Sequence, residues 1–356
     1  MYVVIMAGGG GTRLWPLSSP ERPKPFLDLF PDGTLFQKTV RRLLGPELDL
    51  DVSDVTVVAA GRYAALARDQ WPGIEVLVEP DGRNTTAAVA LATIAIDRAE
   101  DEVMVVLPAD HLIGREADFR SVLRAASDGI ARASFGVDAP LVTLGVQTDR
   151  PATEYGYLLP RHELGADIEG LRAYPLERFE EKPTVDRAME LRALPGVAWN
   201  AGMFLWQRRA IRAALAASAP DIVGAIERGL VDDRLADAYA ALPSISIDYA
   251  VMEPAASAGL VVMGAMDVGW TDLGSWTALV EALGGVGEGR VVQPGEAAEA
   301  GPDDLVVERV GGRLVVAEGS RGILAETPVA LLTGARSART VVDDLLERVA
   351  GQEAGT

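Results

Sequence analysis

The first half of the chain alternates short valine-rich apolar runs with longer helical patterns, and this alternation constrains the fold more than any other feature. Continuous apolar runs favour strands that are buried on both faces of a parallel sheet. Helical stretches between such runs predict a doubly wound α/β sheet. The predicted strands are 2–8, 54–60, 74–80, 102–110 and 140–146, and the predicted helices are roughly 34–44, 62–70, 84–99 and 116–134.

The second half mixes strands and helices, and the glycine-rich stretch 284–289 predicts a linker within it. Beyond the linker, short apolar runs follow one another closely before a final helical pattern. We therefore predict a large domain over residues 1–285 and a small β domain over 286–356, whose spacing would allow β-solenoid turns.

Composition excludes several classes of protein. The formal charge of −19 argues against general nucleic-acid binding, because such binding requires a basic surface. No run of about 18 apolar residues is present, so we expect no membrane span. The chain has no cysteine, which excludes disulfides and thiolate metal sites and is consistent with a cytoplasmic location. An anionic substrate would depend on a few local cations, backbone N–H groups and metal ions.

Lysine and asparagine are scarce, and their positions draw attention to particular segments. The chain contains 33 basic residues, of which only Lys24, Lys38 and Lys182 are lysine. The asparagines are Asn84 and Asn200. Chance is the simplest explanation of where these few residues lie. A functional explanation gains support only if the residues fall inside motifs that are identified on other grounds.

A glycine-rich loop with the sequence AGGGGTRLWPLS follows the first predicted strand. Glycines let the backbone approach a ligand and direct N–H groups at it, which favours phosphate. The loop lacks the GK[ST] of a P-loop and the third glycine of a dinucleotide fingerprint. A tight structural turn is the alternative, but Arg13 favours phosphate because a guanidinium grips two oxygens. The candidate nucleotide-binding residues here are Gly8, Gly9, Gly10, Gly11 and Thr12.

Lys24 lies between two prolines that fix the backbone, so its ammonium suits a point contact to phosphate. The alternative is that Lys24 is a solvated surface lysine. Asp110 follows a predicted strand in the region where α/β proteins bind ligands. It is a candidate magnesium ligand or a turn cap, and we expect His111 beside it to be a structural histidine. Asp272 is either a helix N-cap or a second carboxylate on the same metal.

Three glycine- and asparagine-containing segments are candidates for ligand contact. Asn84 and Thr85 could cap a helix, whereas Gly82 and Asn84 could read a base edge. Gly156 and Asn200 lie where a sugar could approach the backbone, although each segment is also an ordinary bend.

Together these segments resemble the sugar-1-phosphate nucleotidyltransferase family, and most closely its guanylyl branch. The resemblance implies the nucleotidyltransferase fold, with a Rossmann-like mixed sheet and a short C-terminal left-handed β-helix. Nine segments carry it in family order: MAGGGGTRLWPLS (6–18), RPKPFL (22–27), EPDGRNTTAAVALA (79–92), LPADHLI (107–113), EYGYL (154–158), FEEKP (179–183), WNAGMFLW (199–206), SIDYAVME (246–253) and GWTDLGSW (269–276).

The resemblance also implies an activity, which is transfer of GMP from GTP to mannose 1-phosphate with Mg²⁺. It implies that Arg13 and Lys24 neutralise the leaving phosphates and that Lys182 grips the sugar phosphate. Glu181, Asn200 and Gly156 would bind the sugar. The remaining implied roles are nucleotide binding by Gly8 to Gly11, Gly82, Asn84 and Thr85, and metal binding by Asp110 and Asp272.

Two alternatives stay open at the level of sequence. One is the same chemistry with another sugar 1-phosphate or nucleoside triphosphate, and the other is a non-catalytic nucleotide-sugar sensor. Pro25 stands where relatives commonly carry a polar or larger residue, and Gly10 stands where many relatives have serine, which removes one hydroxyl contact. The chain ends soon after the β segment, so we expect no isomerase domain. The same β segment is a candidate contact between the subunits of a homodimer.

Overall fold

The structure is a computed structural model in which the chain divides into two compact units. The larger unit comprises Met1–Gly8, Thr39–Ala109 and Ile113–Trp270, and the smaller unit comprises Gly9–Lys38, Asp110–Leu112 and Thr271–Thr356. The residues that the structure describes are 1–9, 14, 18–21, 23–27, 29–30, 32–274, 278–279 and 282, with the strand backbone of 291–292, 305–310, 313–318 and 322–327.

Sixteen strands occur in the described residues. They are β1 (Tyr2–Met6), β2 (Val55–Ala60), β3 (Glu75–Glu79), β4 (Val103–Pro108), β5 (Leu112–Ile113), β6 (Leu141–Gln147), β7 (Tyr157–Pro160), β8 (Ala166–Ile168), β9 (Leu171–Glu180), β10 (Ala198–Gln207), β11 (Val261–Met266), β12 (Trp270–Thr271), β13 (Val291–Val292), β14 (Leu305–Val310), β15 (Arg313–Glu318) and β16 (Gly322–Thr327).

The α-helices of the described residues connect these strands. They are α1 (Leu35–Leu43), α2 (Gly61–Gln70), α3 (Asn84–Ala95), α4 (Glu116–Ala131), α5 (Val185–Arg192), α6 (Arg208–Ser218), α7 (Pro220–Val231), α8 (Leu235–Ala240) and α9 (Glu253–Ser257). A π-helical turn, Asp248–Met252, directly precedes α9.

One ten-stranded mixed sheet forms the frame of the larger unit. Its strand order is β3-β2-β1-β4-β10-β6-β11-β9-β7, with β8 paired to β9. Strands β1 to β4 run parallel, whereas β10 runs antiparallel to both β4 and β6. The carboxyl ends of β3 and β4 therefore lie at one edge of the sheet, and the residues that follow them include candidate site residues.

Both faces of this sheet are covered. Tyr2 and Val4 of β1 share a buried cluster with residues of α3, α6 and α7. The alternate residues Val3 and Ile5 point to the opposite face and are fully buried as well. Helix α4 packs against β4, β10 and β11. Burial on both faces explains why the sequences of these strands are continuous apolar runs instead of alternating ones.

The predicted fold class is confirmed as a mixed α/β fold with a large mixed sheet. All five predicted strands and all four predicted helices of the first half are present, with ends shifted by a few residues. The predicted boundary at 285/286 lies outside the described residues and stays a prediction.

The C-terminal β-helix also stays a prediction. Strands β14, β15 and β16 pair antiparallel, and β13 pairs parallel to β14. The strands of successive coils in a β-helix pair in parallel. The described antiparallel pairs are therefore not β-helix pairs. In the part of the chain that the structure describes, we find no helix with the length and apolarity that a bilayer span requires.

Candidate functional site

Lys24 lies at the centre of a group of charged residues in the smaller unit, which we call the Lys24 cluster and which contains Lys24, Asp110, His111 and Asp272. It begins a single 3₁₀ turn, Lys24–Phe26, after Pro23 in an extended conformation. Only 6% of Lys24 is exposed. A buried ammonium is costly unless it is paired and hydrogen-bonded, so its partners are decisive.

The ammonium of Lys24 has partners from two other segments of the chain. Its Nζ lies 2.7 Å from Oδ2 of Asp110. It also donates to the backbone carbonyl of Asp272 and lies 3.5 Å from that of Leu273. Lys24 therefore connects segments that are about 85 and 250 positions apart in sequence, and it contacts the carboxylate of Asp110 and the backbone of Asp272, the two predicted metal ligands.

Asp110 remains accessible, with 34% of its side chain exposed. Burial alone raises the pKa of its carboxyl. The neighbouring Lys24 and His111 outweigh that effect, so its pKa lies below the ordinary value. Oδ1 of Asp110 lies 3.8 Å from Nε2 of His111. Asp110 is therefore ionised at neutral pH and presents an oxygen on its open side.

The Asp272 side chain is held by its own loop. Its Oδ1 accepts a hydrogen bond from the Gly274 backbone N–H at 3.1 Å, which is an Asx turn. A Cβ at Gly274 would collide with the same carboxylate. This geometry agrees with a structural role for Asp272 and leaves its metal role as a prediction.

The donor set of the Lys24 cluster suits Mg²⁺. A hard cation takes carboxylate oxygens from one or two residues and completes its shell with water and substrate phosphates. Among the described residues, no group of three or more acidic or histidine side chains forms a complete metal cage. Asp110 and Asp272 could therefore hold an ion only together with oxygens from a substrate.

A second group of residues lies in the larger unit, and we call it the Asn200 cluster: Thr143, Gly156, Glu181, Lys182, Asn200, Asp248 and Glu253. The amide of Asn200 is oriented by its neighbours. Its Oδ1 accepts from the Thr143 hydroxyl at 2.7 Å and from Gly202 N–H at 3.2 Å. Its Nδ2 donates to Oδ1 of Asp248 at 2.8 Å. The second N–H of the amide has no acceptor among the described residues and is available to a ligand.

Glu181 and Lys182 form an ion pair, with Nζ 2.8 Å from Oε1. The Glu181 side chain is only 7% exposed, whereas that of Lys182 is 49% exposed. A Cβ at Gly156 would collide with the Glu181 carboxylate, so glycine there makes room for it. The Gly156 carbonyl accepts from the Asn200 N–H at 2.8 Å. The structure thus brings all four predicted sugar-site residues together.

Sequence reasoning did not identify Asp248 and Glu253 as site residues, although it quoted the segment SIDYAVME that contains them. Asp248 begins the π-helical turn, a rare element that is frequent at functional sites. Burial and the nearby Glu181 carboxylate raise the pKa of Asp248 to about 7, against smaller effects of Lys182 and Asn200. Burial also raises the pKa of Glu253, which accepts from the Glu181 N–H at 3.4 Å.

The loop before α3 and the first turn of that helix contain the predicted base-contact residues, and two of them have structural partners. Oδ1 of Asn84 accepts from Thr85 N–H at 2.8 Å. Thr85 Oγ1 accepts from the backbone N–H of Ile247 at 2.8 Å. Gly82 has open space where a side chain would lie. Thr85 is therefore turned towards the protein, and Gly82 is open to a ligand.

Glu79 ends β3, and its carboxylate approaches the glycine-rich loop. A Cβ at Gly8 would lie 3.9 Å from Oε2 of Glu79. Glu79 is 4% exposed, and its Oε1 has no hydrogen-bond partner among the described residues. Burial, with a further contribution from Asp81, raises the pKa of Glu79 to about 7. A buried carboxylate with an unsatisfied oxygen is a candidate ligand contact that the motif analysis missed.

Three non-glycine residues of these segments have positive φ angles: Asn84 (66°), Lys182 (45°) and Leu273 (46°). Asparagine tolerates this region, but lysine and leucine are strained there. Such strain persists only where surrounding contacts impose it, and it is frequent at functional sites.

The structure describes only the beginning of the glycine-rich loop. Gly9 has φ 101° and open space around it. The predicted residues Gly10, Gly11, Thr12 and Arg13 lie outside the described part of the chain.

We expect Asp248→Asn to change how stability depends on pH. Because the folded state raises the Asp248 pKa from 3.8 to about 7, the folded protein binds more protons than the unfolded chain between these values. The contribution of Asp248 to stability therefore falls as pH rises from about 4 to about 7 and is constant above that. Relative to the parent protein, the variant should gain stability across this window, as measured by urea unfolding at pH 5 to 8.

The control for this measurement is Asp101→Asn, since Asp101 is exposed in a turn. Its difference from the parent protein should not depend on pH in the same range. A constant difference for Asp248→Asn between pH 5 and pH 7.5 would contradict the raised pKa.

Comparison with known proteins connects these clusters to a family. A family model described as nucleotidyl transferase matches residues 2–288. Mannose-1-phosphate guanylyltransferase of Escherichia coli strain K12 is 34% identical over 365 residues, covering 98% of this chain and 73% of that protein. Mannose-1-phosphate guanylyltransferase of Sinorhizobium fredii is 35% identical over 370 residues, covering 98% of this chain and 68% of that protein.

A similar solved structure is that of a protein described as mannose-1-phosphate geranyltransferase from Thermus thermophilus. The two structures have a TM-score of 0.69 and 32% sequence identity, covering 97% of this chain and 98% of the other. The family model spans most of this chain, and both relatives exceed 30% identity over nearly all of it. The resemblance carried by the motifs is thus confirmed, and the chain belongs to the nucleotidyl transferase family.

Proposed function

We propose that this protein transfers GMP from GTP to mannose 1-phosphate, giving GDP-mannose and pyrophosphate. The observation that carries the proposal is the Lys24 cluster, in which one buried ammonium contacts both Asp110 and the backbone of Asp272. A cation beside two potential metal ligands suits the triphosphate of a nucleotide. The names of the two bacterial relatives support the choice of nucleotide and sugar.

The proposed reaction is a direct in-line displacement. A phosphate oxygen of mannose 1-phosphate attacks the α-phosphorus of GTP and forms a new P–O bond. The bond from the α-phosphorus to the oxygen that bridges to the β-phosphate breaks, and pyrophosphate leaves with that electron pair. The nucleophile is already ionised at neutral pH, so no general base is needed. Catalysis then consists of positioning and charge neutralisation.

Lys24 has the central role at the triphosphate. Asp110 and Asp272 would hold Mg²⁺, which supplies positive charge against the phosphate oxygens when it is bound. The ammonium of Lys24 would contact the β- and γ-phosphates. Arg13 of the glycine-rich motif would add a bidentate contact to the same leaving group.

Lys182 would neutralise the phosphate of the attacking sugar. Its half-exposed ammonium can exchange Glu181 for a phosphate without a large loss of solvation. Glu181 would then accept hydrogen bonds from sugar hydroxyls, and the free N–H of Asn200 would donate to one. Gly156 would contribute by leaving space for the Glu181 carboxylate.

Glu79 supports guanine as the base. Guanine presents two adjacent N–H donors on its pairing edge, N1–H and the 2-amino group, and an ionised carboxylate accepts both. The Glu79 carboxylate would be this acceptor, since its Oε1 has no hydrogen-bond partner among the described residues and its Oε2 lies near Gly8. Gly82 and Asn84 are proposed to lie beside the base as well.

We expect Glu79→Gln to weaken GTP binding by about 10- to 100-fold, because an amide cannot accept from both guanine donors. In the parent protein, GTP affinity should also fall as pH drops from about 7 to about 5, because the pKa of Glu79 is about 7 and its protonated form loses an acceptor. Titration calorimetry with GTP across this range measures both effects. The control is Glu75→Gln, an exposed residue of the same strand, which should behave as the parent. Unchanged GTP affinity in Glu79→Gln would remove Glu79 from the base site.

We expect Lys182→Ala to retain GTP binding and to lose turnover by about two to four orders of magnitude, because the charge of the attacking phosphate is left uncompensated. Pyrophosphate release and GTP calorimetry measure the two quantities separately. Lys38→Ala is the matched control, since Lys38 pairs with the exposed Asp32 and lies outside the motifs. Normal turnover in Lys182→Ala would exclude Lys182 from the mechanism.

The decisive experiment is a pyrophosphate-release assay that crosses four nucleoside triphosphates with several sugar 1-phosphates. Release that depends on Mg²⁺ and requires GTP with mannose 1-phosphate supports the proposal. Release with a different pair favours another sugar nucleotide as product. No release with any pair favours a nucleotide-sugar sensor.

Further proposals concern the environment of the enzyme. We propose a cytoplasmic location, which the absence of cysteine supports. We also propose that residues 286–356 form a small β domain, with a short left-handed β-helix and a homodimer contact as its expected features. Size-exclusion chromatography with light scattering, applied to the full chain, tests the dimer.

A further inference from the structure

Thr85 was a candidate nucleotide ligand, yet its side chain is engaged elsewhere. Its Oγ1 accepts a hydrogen bond from the backbone N–H of Ile247 at 2.8 Å. The next residue, Thr86, donates its backbone N–H to the carbonyl of Ile245 at 3.3 Å. The first turn of α3 is thus attached at two points to the segment 245–247, although the two segments are about 160 positions apart in sequence.

The segment attached in this way leads directly into the π-helical turn that begins at Asp248. Ile247 is 1% exposed, so its backbone N–H has no access to water as a substitute partner. Without the Thr85 hydroxyl, that N–H would be left buried and unpaired, which is costly. We expect the turn to shift in order to satisfy it, and Asp248 would move with the turn.

A shift of Asp248 would affect Asn200. The Asp248 carboxylate is the acceptor for Nδ2 of Asn200, while Thr143 and Gly202 fix Oδ1 of the same amide. The direction of the remaining Asn200 N–H therefore depends on where Asp248 lies. Thr85 influences this direction without touching the amide itself.

We propose that Thr85 is a positioning residue for the sugar-phosphate subsite and not a ligand of the nucleotide. This inference rests on the proposed function, because it assigns the Asn200 cluster to the sugar. The hydroxyl of Thr85 fixes the backbone at Ile247, the backbone fixes Asp248, and Asp248 orients Asn200. Each step is a hydrogen bond of 2.8 Å or a covalent neighbour.

The test uses Thr85→Val, which keeps the shape of the side chain and removes the acceptor. We expect the KM for mannose 1-phosphate to rise by about tenfold or more, with the affinity for GTP unchanged. Thr85→Ser restores the hydroxyl and should return the KM to within about twofold of the parent value. Binding is measured independently by titrating mannose 1-phosphate into full-length protein with Mg²⁺ and a GTP analogue that has a methylene bridge between its α- and β-phosphates.

Thr93→Val is the matched control. Thr93 lies in the same helix, is buried, and donates its hydroxyl to the carbonyl of Val89 within that helix. It has no contact with the segment 245–247 among the described residues, so its loss should lower stability without a selective effect on the sugar KM. Thermal unfolding of all three variants identifies any that fail to fold.

The outcomes separate the two proposals. A selective loss of sugar-phosphate binding in Thr85→Val, rescued by Thr85→Ser, supports the positioning role. Weaker GTP binding in Thr85→Val, an effect equal to that of Thr93→Val, or no effect would each overturn it. A parent protein that binds mannose 1-phosphate in a Thr85-dependent manner, yet releases no pyrophosphate from GTP, would overturn the proposed reaction alone.

Discussion

A buried ammonium requires compensation, and the described part of the smaller unit is organised around that requirement at Lys24. Its partners are one carboxylate and two backbone carbonyls from segments remote in sequence. Removal of the Asp110 carboxylate would leave the buried ammonium without an opposite charge, which is strongly destabilising. The same contact keeps Asp110 ionised and places it with Asp272 beside one cation. The same interaction would thus serve both structural cohesion and the proposed binding of a metal and a triphosphate.

The Asn200 cluster of the larger unit also contains more acidic than basic side chains. Three acidic side chains, Glu181, Asp248 and Glu253, lie near the single ammonium of Lys182 in the Asn200 cluster. Burial raises the pKa values of Asp248 and Glu253, and the nearby Glu181 carboxylate raises them further. In a chain with a net charge of −19, an anionic substrate depends on such local cations for its binding.

Backbone strain and side-chain hydrogen bonds cooperate to hold these clusters. Lys182 and Leu273 adopt positive φ angles that neither residue favours, and both directly follow a residue with an assigned role, Glu181 or Asp272. The surrounding contacts must outweigh that strain. Gly156 and Gly274 act differently, because each leaves space that the neighbouring carboxylate occupies. Substitution at any of these positions would change the site through geometry before it changed its chemistry.

The sequence by itself determined the fold class, five strands of the first half (β1 to β4 and β6) and its four helices, because burial on both faces of a parallel sheet imposes continuous apolar runs. It also identified the segments that contain the clusters, since rare lysines and glycine-rich turns mark them locally. Tertiary structure alone decided that Lys24 contacts Asp110 and Asp272, that Thr85 faces Ile247, and that Asp248 and Glu79 are buried acids with raised pKa values. These contacts join residues that lie about 85 to 250 positions apart, and the raised pKa values come from burial of the carboxylates. Both depend on distances in the folded chain, so a local sequence pattern cannot predict them.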